Sequence, residues 1–211
     1  GSINIMLDKM ERQQELEYEN EARFNHLHAI GKHIEDTLRE KIGSDLIQVD
    51  NPMRTEGNTI VEDVQNGQDI VVRIKNGEEW VDIFYVEVKS KWDFSEPAHM
   101  STRQVRMAAL HPNEYALCCV DLRKHKHEDL ENLPTEIILE CTNVKMGIGE
   151  ILNPMLKAIL EADNRSDDEQ IKISEYRSNM GASIFEKGDS LDVLLNTIET
   201  KIRQKLSSMS S

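Results

Sequence analysis

From Phe24 onward, apolar residues recur at three- and four-residue steps: Leu27, Ile30, Ile34, Leu38 and Ile42. That spacing lines one side of an α-helix and predicts a buried stripe. The stretch before it, IMLDKMERQQELEYENEARF, is highly charged with sparse apolar positions, which predicts a solvated or partner-packed helical arm over residues 1–23. Helix is expected from residue 3 to about 42, in one piece or two, with Gly43-Ser44 ending it. DLIQVDNP (45–52) reads as a short strand stopped by Asn-Pro, and residues 53–67 as a stretch of turn formers and acids that includes a loop. QDIVVRIKNGEEWVDIFYVEVKSKW (68–92) reads as two β runs around Asn76-Gly77, a strong hairpin signal. Ser101 or Thr102 then caps a helix running to Leu110 and closed by His111-Pro112. YALCCVDL (115–122) is continuously apolar, as an interior strand should be.

The C-terminal part continues the alternation. RKHKHEDLENLP (123–134) reads as a charged loop, in which His125 and His127 are more economically solvated than metal-binding. PTEIILECTNV reads as a strand, residues 150–162 as an amphipathic helix with Pro154 in its first turn, NRSDDEQ as a loop and IKISEY as a strand. DSLDVLLNTIETKIRQKL (189–206) is a capped closing helix, followed by a frayed tail at 207–211. Strands alternating with helices make the class α/β: a mixed β-sheet flanked by helices, with an N-terminal helical arm. The expected organisation is an arm (1–23), one domain (24–206) and the tail.

Composition narrows the picture. The chain has 211 residues, 38% hydrophobic and 30% charged, enough for one domain with its own core. Gly1-Ser2 in place of Met suggests a scar on a piece cut from a larger protein. No apolar run approaches a membrane span and no signal peptide is visible. Cys118, Cys119 and Cys141 have no zinc-like spacing and read as buried reduced thiols, so the expected location is cytoplasmic. Net charge is −14, which counts against nucleic-acid binding by the domain as a whole. A small cationic cleft within an acidic exterior is still compatible with it.

Candidate chemistry sits on the hairpin. Asp69 opens the first strand, and Glu87 and Lys89, two residues apart, project from one face near the end of the second. A strict two-residue turn at Asn76-Gly77 would pair Asp69 with Phe84 and turn it away from Glu87. An odd-length loop or a bulge would instead pair Asp69 with Tyr85, diagonal to Glu87 and about 7–8 Å from it. A loop of that kind, or a bulge, is therefore predicted.

Asp, a variable gap, then (Asp/Glu)-x-Lys resembles the signature of the PD-(D/E)xK nuclease-like superfamily, with Gln68 where the leading Pro usually stands. Mg²⁺ takes oxygen ligands from one or two carboxylates plus waters and substrate phosphate. Asp69, Glu87 and the Val88 carbonyl would supply them, with Mn²⁺ as a substitute, and Lys89 would orient the attacking water or neutralise developing charge. Nucleases of this superfamily often carry an acidic residue on the helix before the sheet. Glu35 matches that position, Gly31 allowing close approach, although it can equally pair with Arg39 at i+4. Ser90, Lys91, Arg103 and Gln104 lie just beyond the signature as candidate nucleic-acid contacts; Trp80 and Trp92 read as core or cover.

A narrower resemblance lies in FYVEVKSKWDFSEPAHMSTRQVRMAALHPNEYALCCVDL. It is similar to the domain at the C-terminus of No Vein proteins and beside sacsin-type ATPase-like domains: an EVKS strand, a Ser/Thr-led helix and a Tyr-led apolar strand. ISEYRSNMGASIFEKGDSLDVLLNTI resembles that family's closing strand and helix. The likeness spans roughly residues 30–200 and is sharp over 84–122; the charged insert at 123–134 departs from it. It implies a restriction-endonuclease-like fold within a multidomain protein, some relatives serving restriction or phage defence. The expectation is a Mg²⁺-dependent endonuclease acting on DNA, joined to other domains such as an ATPase and able to form a homodimer. The alternative is an inactive interaction or dimerisation module on the same fold.

Overall fold

The apolar stripe that begins near Phe24 does not stop at Gly43. In the computed structural model, which describes residues 1–47, 59–64, 68–93, 98–166 and 177–209, helix α1 (Ser2–Ile47) is unbroken over 46 residues. Its buried side is Ile30, Ile34, Leu38, Ile42 and Leu46, at successive four-residue steps. Burying one more leucine contributes about 1.5–3 kcal/mol, against roughly 1 kcal/mol lost to a glycine in a helix interior. Leu46 therefore carries the helix past the expected Gly43-Ser44 stop. Residues 45–47, read as the start of a strand, are its last turn; the remainder of that expected strand lies outside the described residues. Residues 1–26 are exposed throughout.

The sheet is built from β1 (Thr59–Val64), β2 (Gln68–Asn76), β3 (Glu79–Lys91), β5 (Tyr115–Asp121) and β6 (Thr142–Met146), in that spatial order. Among the described strands of this sheet, β3 and β5 run parallel and the other pairs are antiparallel. A parallel step needs a crossover, and it contains β4 (Ala98–Ser101) and α2 (Thr102–Leu110). β4 pairs with β7 (Arg177–Met180) in a separate two-stranded sheet. Neither β1, within the 53–67 stretch expected to include a loop, nor β4 is anticipated by the apolar pattern. The strand read at 171–176 lies outside the described residues.

One face of the main sheet, carrying Val72, Ile74, Phe84, Val86, Ala116, Cys118 and Val120, packs on α1 and on α5 (Leu191–Met209). The other, carrying Val71, Tyr85, Tyr115, Leu117 and Cys119, packs on α2 and α4 (Ile148–Ser166). Helix α5 extends into the stretch read as a frayed tail. Pro154 stands in the interior of α4 rather than in its first turn, because the helix starts two residues earlier than expected. The run PTEIILE, read as strand, is the short helix α3 (Thr135–Glu140). Its Ile138 is buried, and the Ile138 carbonyl accepts a 2.7 Å bond from the Thr142 hydroxyl. The charged segment after β5 forms two 3₁₀ turns, Arg123–His125 and Leu130–Asn132. No described helix is long and apolar enough to cross a membrane.

Candidate active site

The hairpin turn is Gly77-Glu78, with Gly77 at φ 65° and Asn76 paired to Glu79. Glycine adopts that conformation without the steric cost other residues meet, which suits a two-residue turn. Continued regularly, this register would set Asp69 across from Val86 and turn it away from Glu87. A bulge intervenes: Arg73 pairs with Asp82, but Val72 pairs with Phe84, leaving Ile83 over. Beyond it Val71 pairs with Tyr85 and Ile70 with Val86, so the next step sets Asp69 directly across from Glu87. The expected bulge is present, but the pairing it produces is with Glu87 itself rather than with Tyr85. One extra residue puts both carboxylates on the face that carries α2.

Glu87 is 2% exposed. Its Oε1 accepts 2.5 Å from Gln104 Nε2 and lies 3.4 Å from Lys89 Nζ. Its Oε2 is buried with no hydrogen-bond partner among the described residues. Burial, and then the neighbouring Asp69 charge, push the Glu87 carboxyl up to about 9, against a smaller opposing pull from Lys89. Asp69 Oδ2 accepts from the Val88 backbone N–H at 2.7 Å, which clips the first strand's carboxylate to the backbone between Glu87 and Lys89.

Glu35 is brought to the same end of the sheet: burial, then the Asp69 charge, raise its pKa. Its carboxylate is bound to Arg39, whose guanidinium also donates to the Asp69 carbonyl at 3.1 Å. The expected pairing of Glu35 with Arg39 is present, whereas Gly31, expected to let the helix approach a strand closely, has nothing within 4 Å of where a Cβ would stand.

Gln104, expected at a nucleic-acid surface, lies between the charged groups. Its Oε1 accepts from Lys89 Nζ at 3.1 Å and from the Ser101 N–H at 2.9 Å, while the Ser101 hydroxyl accepts from the Gln104 N–H at 3.2 Å. That reciprocal pair is a capping box at the start of α2. The S-x-x-Q spacing is legible in STRQ; that the same amide also reaches Glu87 and Lys89 is not. Of the other expected contacts, Arg103 is exposed, Ser90 is half-buried and Lys91 is only 8% exposed. The sequence reading missed Tyr115. It faces the same way as Tyr85 and Glu87, is 2% exposed, and its hydroxyl has no hydrogen-bond partner among the described residues. Burial and the nearby Glu87 and Asp69 charges raise its pKa. Its alternation along YALCC was the available signal.

Among the described residues, no three His, Cys, Asp or Glu side chains are grouped so as to hold a metal ion by themselves. What remains is two adjacent carboxylates, one with a buried oxygen lacking a partner among the described residues, beside a lysine. Such a donor set fits a hard divalent cation that keeps several of its waters.

A family model described as Protein NO VEIN, C-terminal matches residues 46–131. The match takes in Asp69, Glu87, Lys89, Gln104 and Tyr115 and leaves Glu35 outside. No curated protein and no solved structure matches the chain.

Proposed function

We propose that this domain is a Mg²⁺-dependent nuclease on a PD-(D/E)xK, restriction-endonuclease-like fold, hydrolysing phosphodiester bonds in DNA. In this reading it is the effector part of a larger protein with further domains, such as an ATPase, serving restriction or anti-phage defence. The observation that carries it is the bulged ladder that sets Asp69 across from buried Glu87, with Lys89 two residues on.

Asp69 and Glu87 would hold the cation, with the Val88 carbonyl beside them. Bound there, Mg²⁺, or Mn²⁺ in its place, would polarise the scissile phosphate and lower the pKa of an attacking water. Lys89 presents its ammonium 3.4 Å from Glu87, fixed by Gln104 so that little reorganisation is needed as negative charge develops. Glu35, carried by α1 and tethered to Arg39, flanks Asp69 as an outer carboxylate.

The test is incubation of the domain, and of the intact parent protein, with plasmid and single-stranded DNA in Mg²⁺ and in Mn²⁺. Wild type should cleave, while Lys89→Ala and Asp69→Ala should each lose about a hundredfold or more. Undiminished cleavage by both variants, or none by the intact wild type, would sink the proposal.

A second reading, an interaction or dimerisation module, draws on the arm of α1, where Ile3, Met6, Leu7 and Met10 are exposed. Cleavage that depends on Asp69 and Lys89 separates the two.

A further inference from the structure

Helix α1 and the end of β3 enclose a small cavity that the sequence reading did not unite. Its walls include Arg23 and Leu27 from the helix and Ser90, Lys91, Trp92 and Asp93 from the strand and the residues after it, around about 190 Å³. That is below the roughly 300–1,000 Å³ of pockets for drug-sized ligands, so it suits one flat ring rather than a whole dinucleotide. The chemistry is uneven. The Trp92 indole and Leu27 supply apolar surface, Arg23 is exposed and Lys91 is mostly buried. Among the described residues that line it, the charged ones are Arg23, Lys91 and Asp93, inside a protein of net charge −14.

The strand end is firmly set, because the Leu122 N–H donates to the Lys91 carbonyl at 2.7 Å. Trp92 therefore keeps a defined place at the end of β3, about 10 Å along the chain from Lys89 at about 3.3 Å per residue. It packs on the α1 side of the sheet while Lys89 faces α2, so a strand of DNA reaching both passes round that end of the sheet.

We propose that this cavity is a subsite for one unpaired nucleotide flanking the cleavage position, its base against Trp92 and its phosphate on Arg23. The inference rests on the nuclease reading above and deepens it by naming the strand state of the substrate. An indole offers a face to any base, but a base within duplex DNA has both faces covered by its neighbours. The subsite thus selects single-stranded or locally opened DNA, and it gives the exposed arm of α1 a part in holding substrate.

The chain has two tryptophans, which makes the test direct. Trp80 lies on β3 beyond the bulge, with Lys75 Nζ 5.8 Å from its ring. In a Trp80→Phe background, Trp92 is the sole indole emitter. This protein is titrated in EDTA, so that nothing is cleaved, with a short oligothymidylate and with a blunt duplex of equal length. Saturable quenching by the single strand, about tenfold weaker after Arg23→Ala, and weaker or absent quenching by the duplex are expected. Arg23 is exposed, so its replacement tests the subsite without disturbing the core; Trp92→Phe, which keeps a ring there, should retain part of the affinity measured by anisotropy of labelled oligonucleotide. No saturable change, equal response to the duplex, or indifference to Arg23→Ala overturns the subsite. Cleavage measured separately in Mg²⁺ decides the nuclease reading, so either can fail while the other stands.

Discussion

Glu87 carries two opposing demands. A carboxylate taken out of water favours its neutral form, and Asp69 beside it adds to that preference. Its pKa is raised on folding, so folding is favoured most when the group is protonated. The contribution is fully present below the unfolded value near 4.5 and is lost as pH rises through about 9. Glu87→Gln copies the shape of the neutral acid and cannot ionise. Urea unfolding in EDTA should find it more stable than wild type at pH 8 by about 1–3 kcal/mol and nearly equal to it at pH 4. A variant weaker than wild type at pH 8 would mean that the ionised group has a partner stabilising it.

Tyr115 makes the complementary case. A buried hydroxyl with no partner costs about 1–3 kcal/mol of desolvation, so Tyr115→Phe should leave stability unchanged or raise it by about 1 kcal/mol. A loss of that size in the same urea assay would show that the hydroxyl is hydrogen-bonded in solution.

At the scale of elements, the site depends on joints more than on strands. Ser101 ends β4, caps α2 and bonds Gln104, so the short β4–β7 sheet fixes the helix that braces Glu87 and Lys89. The other side of α2 meets α4 at Gly149, where an added Cβ would lie 1.9 Å from the Ala108 carbonyl oxygen and 3.1 Å from Pro112 Cα. Both are backbone atoms, and neither can swing aside as a side chain would. Gly149→Ala should destabilise the domain by about 3 kcal/mol, read as a lowered urea midpoint; an unchanged midpoint would show that the helices separate freely.

The same joints mark what the sequence could disclose. Periodicity reports burial, so the α1 stripe, the hairpin and the interior strand Tyr115–Asp121 were all legible. So was the Ser101 cap, a local device. Leu46 extended its helix through a glycine because packing outweighed propensity, and EIILE formed a helical turn despite its β-branched run. The need for a bulge followed from the parity of Asp69 and Glu87, but its place at Ile83 did not. That place depends on how the hairpin turn and both faces pack at once, which no local window contains.

At the scale of the whole molecule, the acidic exterior sets how any DNA would be met. With net charge −14, long-range approach is repulsive, and salt screens that repulsion along with the local attractions. Counterion release gives a slope of log affinity against log salt of about −0.9 per phosphate neutralised on duplex DNA and about −0.7 on a single strand. The described groups this reading would bring to DNA are Arg23 and Lys91 at the Trp92 cavity, Lys89 in the site and Arg103 exposed on α2. Contacts from these four groups imply a slope of about −3 on single-stranded DNA, and repulsion from the acidic surface should flatten it further. Binding of labelled single strand to Lys89→Ala across a salt series in EDTA should therefore be weak and only mildly salt-dependent, with a slope shallower still because one cation has been removed. A slope of about −6 would require more cations than this face presents. DNA would then lie on another surface, and Asp69, Glu87 and Lys89 would be too far from its backbone to act on it.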